Sequence, residues 1–322
     1  MQNNQKKVAE IAARHLGKKG GEGYSTSYDP KLLVAIPRKL NREAYGIDEK
    51  DLPFCGFDVW NAYEVSALTS KGCPVTGMLK IVCNARSKYH VESKSIKLYL
   101  NSFNMTRLGD TIEECIELIE RRVAEDLSEL LDSPVLVKFF NNANDETRYD
   151  VSTGSTADYS VEPPFPKSTS VDPFWNYDLI QSQIDLNTIK FDTYKSDKNQ
   201  LETGNGGFLK TRIDFLRSNC RVTNQPDWGD IYIHIEGKEV PSLESLAKYV
   251  VSHRTVSHFH EEIAEMVYKH LLDRFSPDKL MVACLYSRRG GIDINPIRAT
   301  DIKLIDGVFY SLTSRLRKTL KQ

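Results

Sequence analysis

Cys220 and Asp227 stand seven residues apart in a stretch that can bring a thiol and a carboxyl together. Between them, in 221–228 (RVTNQPDW), Pro226 presets a turn and Asn224 and Gln225 supply side-chain hydrogen-bonding groups, so Asp227 can fold back towards the cysteine. A thiol and a carboxyl on one rigid turn can act as nucleophile and proton donor. The same residue types also suit a surface hairpin in which Asp227 caps the turn and Cys220 is a small buried hydrophobe. His260, directly followed by Glu261, falls at the expected start of a long helix, where a titratable group can face a cleft. His253, His258 and His270 lack that placement. In 91–103 (VESKSIKLYLNSF), Glu92 and Lys94 precede a short helix, Lys97 lies inside it, and Ser93 or Ser95 can cap its first turn. There a carboxylate could accept from an amide-like N–H edge and a lysine could meet a phosphate, although a capped, solvated amphipathic helix has the same composition. Finally, 287–298 (SRRGGIDINPIR) sets three arginines around a Gly pair, which suits phosphate recognition or a plain Gly hairpin with solvated flanks.

The elements that must position these groups follow from periodicity. Strands are expected over 57–68 and 78–83, a short helix at about 95–103, a long helix from Thr111 and a strand over 135–140. In the long helix Ile112, Cys115, Ile119, Val123, Leu127 and Leu130 recur at spacings of three or four, and Thr111 with Glu114 fits a capping box. The second half repeats this order. Residues 208–216 are strand-like, Ile231, Ile233 and Ile235 alternate with polar or aromatic partners, 242–252 gives the short helix, Phe259 to Leu271 carries the apolar positions of the long one, and 280–286 closes. Residues 68–76 (LTSKGCPVT) can be laid on 216–223 (LRSNCRVT) with one gap, and 111–114 (TIEE) on 259–262 (FHEE). This predicts a duplicated α+β unit, each copy a small antiparallel sheet with helices on one face. The second copy then has a longer loop after its cysteine, nine positions from Cys220 to Gly229 against four from Cys73 to Gly77.

The chain is divided as an N-terminal arm over 1–50, a first module over 51–145, a linker or insert over 146–206 and a second module over 207–322. Gly17 to Gly23 (GKKGGEG) has no strand before it, and reads as flexible rather than as a phosphate loop. From Asn141 to about Gly207 the chain turns to Asn, Ser, Thr and Pro with interspersed aromatics, a long linker that packs on something.

With 322 residues, 40% hydrophobic and 27% charged, the composition is that of a soluble globular protein, and the length favours two domains. Forty-three basic residues against 44 acidic give a net charge of -1, so no bulk field holds a nucleic acid. Six scattered cysteines without a CxxC pair or zinc-ligand spacing argue against a metal site and for a reducing compartment. No signal peptide or run of 18 apolar residues is present, so cytoplasmic residence and no membrane association are expected.

Taken together, 92–104 (ESKSIKLYLNSFN), 218–229 (SNCRVTNQPDWG), 259–261 (FHE) and 288–298 (RRGGIDINPIR) resemble the 7-cyano-7-deazaguanine reductase family, the nitrile reductases of queuosine biosynthesis, in its long two-module form. Ile297 stands where many relatives carry a tryptophan. The resemblance implies tandem tunnelling-fold (T-fold) modules, NADPH as hydride donor, and reduction of the nitrile 7-cyano-7-deazaguanine to its primary amine. It assigns Cys220 as nucleophile and Asp227 as proton donor. Val91, Glu92, Ser93, His260 and Glu261 would contact substrate, and Ser93, Lys94, Arg289 and Gly290 the cofactor. A thioimide on Cys220, protonated by Asp227, would then accept hydride, with thiolate and protonated acid expected of the coupled pair. A homodimer follows from the way T-fold relatives close their sheets. A thiol-dependent nitrile hydrolase would share the thioimide but send water to it, and a non-catalytic purine- or pterin-binding protein of the same fold would leave Cys220 and Asp227 incidental.

Overall fold

The computed structural model describes residues 25, 27–141 and 172–322, together with the backbone of short strands at 149–150, 155–156 and 169–171. The glycine-rich run at 17–23 lies outside them. The first half contains β1 (Ala35–Pro37), a one-turn helix α1 (Lys39–Arg42), β2 (Cys55–Leu68), β3 (Pro74–Asn84), β4 (Tyr89–Val91), α2 (Ser93–Asn101), α3 (Ile112–Leu131) and β5 (Val135–Phe140). The linker adds β6 (Thr169–Val171) and β7 (Asp178–Leu179). The second half contains β8 (Phe208–Asn219), β9 (Pro226–Glu236), α4 (Leu243–Val251), α5 (His260–Phe275), β10 (Lys279–Tyr286), β11 (Ile292–Ala299) and β12 (Ser314–Leu316). Strand, strand, short helix, long helix, strand thus recurs in both halves, as the periodicity predicts.

Helix α3 buries Cys115, Ile116, Ile119, Val123, Leu127 and Leu131 against the sheet, but Ile112 is 42% exposed, so the apolar face begins one turn later than its spacing suggests. At its N-terminus Thr111 accepts from the Glu114 N–H, while the Glu114 carboxylate accepts from Asp110 rather than Thr111, a capping box displaced by one residue.

Eight strands form one sheet in the order β5-β3-β2-β11-β10-β9-β8-β7, antiparallel except where β7 joins β8. The two halves meet side by side, Cys55 opposite Ala299 and Ala62 opposite Ile292. Helices α2 and α3 cover one half of a single face around Ile96, Phe103, Ile119 and Val123, and α4 and α5 the other around Leu246, Tyr249, Ile263 and Leu271. The α+β class with helices on one face is therefore as expected. The reverse face is covered by the chain itself: Phe174 stacks on Tyr232 at 4.2 Å between ring centroids, Phe309 and Ile305 join them, and Lys80 donates to the carbonyls of Ser311 and Ser314. Within the described residues the linker does pack, through Phe174, through β7, and through β6 lying beside β12.

The duplication is visible in register. Both long hairpins carry an irregularity at the same place, after which Val65 faces Gly77 in one and Leu216 faces Gly229 in the other. Both glycines sit where backbone crowds, since a Cβ at Gly77 would lie 2.3 Å from the Phe140 carbonyl oxygen and at Gly229 2.9 Å from that of Leu285. Further along, Leu68 bridges Arg107 as Asn219 bridges Ser257, and Thr69 N–H donates to the Cys73 carbonyl as Cys220 N–H donates to Gln225. Leu68 therefore corresponds to Asn219, and Cys220 to Thr69. This corrects the superposition of 68–76 on 216–223, which placed Cys73 with Cys220. The loops are 69–73 and 220–225, so the second is longer by one residue, and what separates the copies is a cysteine at the loop's start. By contrast, Thr111 and Phe259 are both helix N-caps, and His260 does stand in the place of Ile112.

Residues 27–50 are packed into this frame. β1 pairs with β4, and Arg38 and Arg42 are buried. Arg38 pairs with Asp58 of β2, Arg298 of β11 joins Asp58 at 2.8 Å to Glu265 of α5 at 2.9 Å, and Arg42 reaches Glu265 at 2.8 Å and the Ala85 carbonyl at 2.6 Å. Burial alone would raise Asp58, but Arg298 and Arg38 hold its carboxyl far below the usual range. One network of buried charges thus ties the arm, the first copy and the second.

Candidate active site

Cys220 follows the last residue of β8, and the 220–225 loop closes on itself. Cys220 N–H donates to Gln225 at 2.8 Å and Asn224 N–H to Cys220 at 2.9 Å, with Asn224 in the left-handed region at φ 55°. Burial raises the Cys220 thiol, but hydrogen bonds from the Thr223 hydroxyl, from the N–H groups of Thr223 and Val222, and from Arg289 hold it below the ordinary thiol value. Asp227 is not on the turn. It is the second residue of β9, opposite Ser218, and strand alternation points it to the helix-covered face.

There it meets the first residue of α5 and the turn between β10 and β11. His260 Nε2 lies 3.5 Å from Asp227 Oδ2, and Arg289 Nη1 lies 2.9 Å from Oδ1. Burial pushes Asp227 up, yet His260, Arg289 and Lys97 together hold it below the usual carboxylate range. Against the expected protonated acid, Arg289 favours thiolate and carboxylate at once. Tyr286, at the end of β10, places its ring 4.0 Å from that of His260, and its hydroxyl is buried without a partner, as is that of Ser218.

The signature stretch of the first copy reaches the same place. Glu92 caps α2, accepting from the N–H groups of Lys94 at 2.9 Å and Ser95 at 2.7 Å, while Ser93 lies 3.4 Å from its Oε1. Burial raises Glu92 despite these bonds. One turn on, Lys97 lies under Gly290, whose left-handed φ of 57° suits glycine, and a Cβ there would be 3.3 Å from Lys97 Nζ. Burial and the charge of Arg289 bring Lys97 down to about 8. Glu261 is buried beside His90, 3.8 Å away, with Oε1 unpartnered, and burial with the charge of Asp58 pushes it up to about 8. Val91, one residue past His90, is buried in the first core.

Cys220, Asp227, His260, Arg289, Gly290, Lys97 and Glu92 thus form one connected cluster across both copies, with Glu261 beside it on α5. Lys94 contributes its backbone N–H. Tyr286, Ser218 and His90 were not singled out from the sequence; no local signal marks them, since each is an ordinary strand or loop residue until the fold turns it inward. A separate groove of about 700 Å³, lined by Tyr63, Glu64, Met78, Asn104 and Arg315, holds none of the candidate residues.

Two family models match the chain. The nitrile reductase, 7-cyano-7-deazaguanine-reductase N-terminal model covers residues 24–139, and the QueF-like protein model covers 226–303. The NADPH-dependent 7-cyano-7-deazaguanine reductases of Coxiella burnetii strains RSA 331 / Henzerling II and RSA 493 / Nine Mile phase I are 37% identical over 280 residues, 86% of this chain and 89% of theirs. The chain belongs to the 7-cyano-7-deazaguanine reductase family. An archaeosine synthase QueF-Like structure in the apo form aligns with 30% of this chain and 95% of its own at 20% identity and a TM-score of 0.26, which adds nothing to that assignment. Of the reductase motifs, the signature stretch lies inside the first match and Asp227, His260, Glu261 and Arg289 inside the second. Cys220 lies between the two matches.

Proposed function

We propose that the protein reduces 7-cyano-7-deazaguanine to 7-aminomethyl-7-deazaguanine with NADPH, in queuosine biosynthesis, through a thioimide on Cys220. The observation that carries this reading is the convergence of an acidified thiol, an Asp227–His260 pair and a cationic turn at Arg289 and Gly290 on one cluster. The Cys220 thiolate adds its electron pair to the nitrile carbon, forming the C–S bond and opening one C–N π bond. The nitrogen takes a proton delivered through Asp227, beside which His260 stands at 3.5 Å. Glu92 and Glu261 accept from the N–H groups of the guanine-like edge. Lys94, Lys97 and Arg289 would hold NADPH phosphates, with Gly290 admitting the close backbone approach. NADPH bound there would supply two hydrides per nitrile, the first to the thioimide carbon, after which the C–S bond breaks and returns its electron pair to the Cys220 thiolate, and the second to the imine so released. Mass spectrometry of protein mixed with the nitrile alone tests the reading: a covalent adduct on Cys220 is expected, and an unmodified Cys220 with turnover intact contradicts it.

Arg289 now has two duties rather than the cofactor role alone. In Arg289→Ala, both Cys220 and Asp227 lose a cation, and charged hydrogen bonds are worth about 1.5–3 kcal/mol, so adduct formation should slow by roughly tenfold or more while NADPH use falls further. Stopped-flow adduct formation beside NADPH oxidation measures this; unchanged adduct formation would confine Arg289 to the cofactor.

Glu261 gives a pH dependence. With its carboxyl pushed up to about 8, it is protonated in the free protein at pH 7, whereas accepting N–H bonds favours the ionised form. Binding should therefore release a proton at pH 7, and affinity should rise with pH before levelling above about 8. Calorimetry of nitrile binding to Cys220→Ala in buffers of different ionisation enthalpy reads the release directly, and observed heats that do not vary with the buffer would refute it.

The reading extends to a homodimer, supported by β5 at the sheet edge with Leu136 48% exposed, and to the cytoplasm, supported by six free cysteines. No described helix is long and apolar enough to cross a membrane. Light scattering at twice the chain mass is the expected solution result.

A further inference from the structure

The 220–225 loop that shapes the thiol's surroundings is itself poorly anchored. Thr223 to Pro226 are exposed, and apart from the Arg289 contact with the thiol the hydrogen bonds named above run within the loop; one more comes from the Ser257 hydroxyl to Asn224 Oδ1 at 3.2 Å. One side chain of the loop goes inward with a full set of partners. Arg221 donates from Nη2 to Glu262 Oε1 at 2.7 Å and from Nη1 to Asn41 Oδ1 at 2.8 Å, and its guanidinium lies 5.6 Å from the centre of the Phe259 ring. Both members of the Arg221–Glu262 pair are buried, at 7% and 2% side-chain exposure. The same carboxylate accepts from Tyr45 Oη at 2.8 Å, lies 2.9 Å from His258 Nδ1, and through Oε2 accepts from the Phe259 N–H at 3.2 Å. Beside it Val222 packs with Ile36, Leu40 and Phe259. Asn41, Tyr45, Ile36 and Leu40 all belong to the N-terminal arm, to which no part of the proposed mechanism gives a task.

We propose that Arg221 is a positioning residue for Cys220: clamped between Glu262 of α5 and Asn41 of the arm, it fixes the loop that opens at Cys220 and closes on it through the Cys220–Gln225 and Asn224–Cys220 backbone bonds. The arm thereby becomes part of the reaction machinery without touching substrate. Geometry sets the effect. The Val222 and Thr223 N–H groups that lower the thiol belong to this loop, and hydrogen bonds lose most of their strength once misaligned, so freeing the loop weakens them without removing any atom. The charged groups of the neighbouring elements that face the thiol, Arg289 on its turn, Asp227 on β9, His260 on α5 and Lys97 on α2, are unaltered by the substitution itself, and Arg221→Lys keeps the local charge, so a change shared by both variants reports on the loop.

The proposal rests on Cys220 being the reacting thiol, and the test reads that thiol independently of nitrile chemistry. Iodoacetamide labelling of Cys220, followed by peptide mass spectrometry across pH, gives a midpoint for the wild-type protein. Arg221→Gln should raise that midpoint by about one unit. Thiolate at neutral pH then falls about tenfold, partly offset by the greater nucleophilicity of a more basic thiolate, for a net loss in labelling rate of about threefold. Adduct formation with the nitrile, which also needs the loop's aim, should fall by more. Nitrile affinity, measured in the Cys220→Ala background, should change less than twofold. Asn41→Ala should shift the midpoint in the same direction by less, and add little on top of Arg221→Gln because both loosen one clamp. A folded Arg221→Gln protein with the wild-type midpoint and labelling rate overturns the proposal. Should that variant fail to fold with Glu262 left unpaired, Arg221→Lys, which keeps a cation but not the fork to Asn41, decides it by the same criterion. A wild-type protein that labels normally at Cys220 but forms no nitrile adduct would instead refute the proposed function and leave the clamp standing.

Discussion

Cys220→Ala should abolish both the nitrile adduct and NADPH oxidation while leaving nitrile binding largely intact, because Glu92 and Glu261, not the thiol, meet the polar edge. Among the described residues no other cysteine joins the cluster: Cys83, Cys115 and Cys284 are buried elsewhere, and burial raises each of them. Asp227→Asn makes the informative contrast. It keeps the shape beside His260 and Arg289 but removes the carboxyl assigned to deliver the proton, so adduct formation should slow within the roughly 10²–10⁴-fold range of general acid catalysis. Single-turnover kinetics with intact-mass detection separate the two variants. A Cys220→Ala protein that still oxidised NADPH in step with amine formation would end the covalent mechanism, whereas an unimpaired Asp227→Asn protein would move the proton to His260.

The second large effect is on stability. Arg298→Ala should destabilise the fold by about 3–5 kcal/mol, because it strips Asp58 and Glu265 of a shared partner in a site none of them leaves exposed. Arg38 and Arg42 remain, which keeps the loss from growing larger; Arg38 reaches both carboxylates, but Glu265 only at 3.8 Å, whereas the Arg298 fork hydrogen-bonds both. Arg298→Met tests the reason as well as the size: it refills volume without charge, so a loss equal to that of Ala would assign the effect to the abandoned carboxylates rather than to a cavity. Chemical denaturation reads both, and a change below about 1 kcal/mol in either would mean that water or relaxed side chains satisfy those groups.

Much of the frame was legible because alternation and helical spacing are local. Ile231, Ile233 and Ile235 announce β9, and the α5 apolar positions announce their helix, whatever lies elsewhere in the chain. The cluster was legible for a different reason: Cys220 and Asp227 are joined by one short hairpin, and the Arg289–Gly290 turn carries its own composition. What the sequence left hidden depends on distant partners. Arg38 and Arg42 look like ordinary surface cations in a polar arm until Asp58 and Glu265 are brought to them. The matching of Cys73 with Cys220 failed because residue identity was used where strand register decides, and register shows only in the pairing of Val65 with Gly77 and Leu216 with Gly229. Asp227 was placed on a turn because proline and asparagine precede it, yet Pro226 opens the strand at its first residue, where a missing N–H is tolerated.

The seam between β2 and β11 sets a problem of timing for a newly made chain. Ala62 and Ile292 are direct neighbours in the sheet although 230 residues of sequence lie from one to the other. At synthesis rates of about 5–20 residues per second, β2 emerges roughly 10–50 s before the strand that will pair with it exists. Throughout that interval its outer edge offers unpaired N–H and C=O groups, and Asp58 on it waits without Arg298. Such a delay between partners also belongs to slow-folding topologies, in which loop closure must be completed before the contact can repay it. The first copy can satisfy Asp58 early only through Arg38, which precedes it in the chain and leaves the ribosome first. The arm would then shield the nascent half of the sheet before it ever serves the finished one.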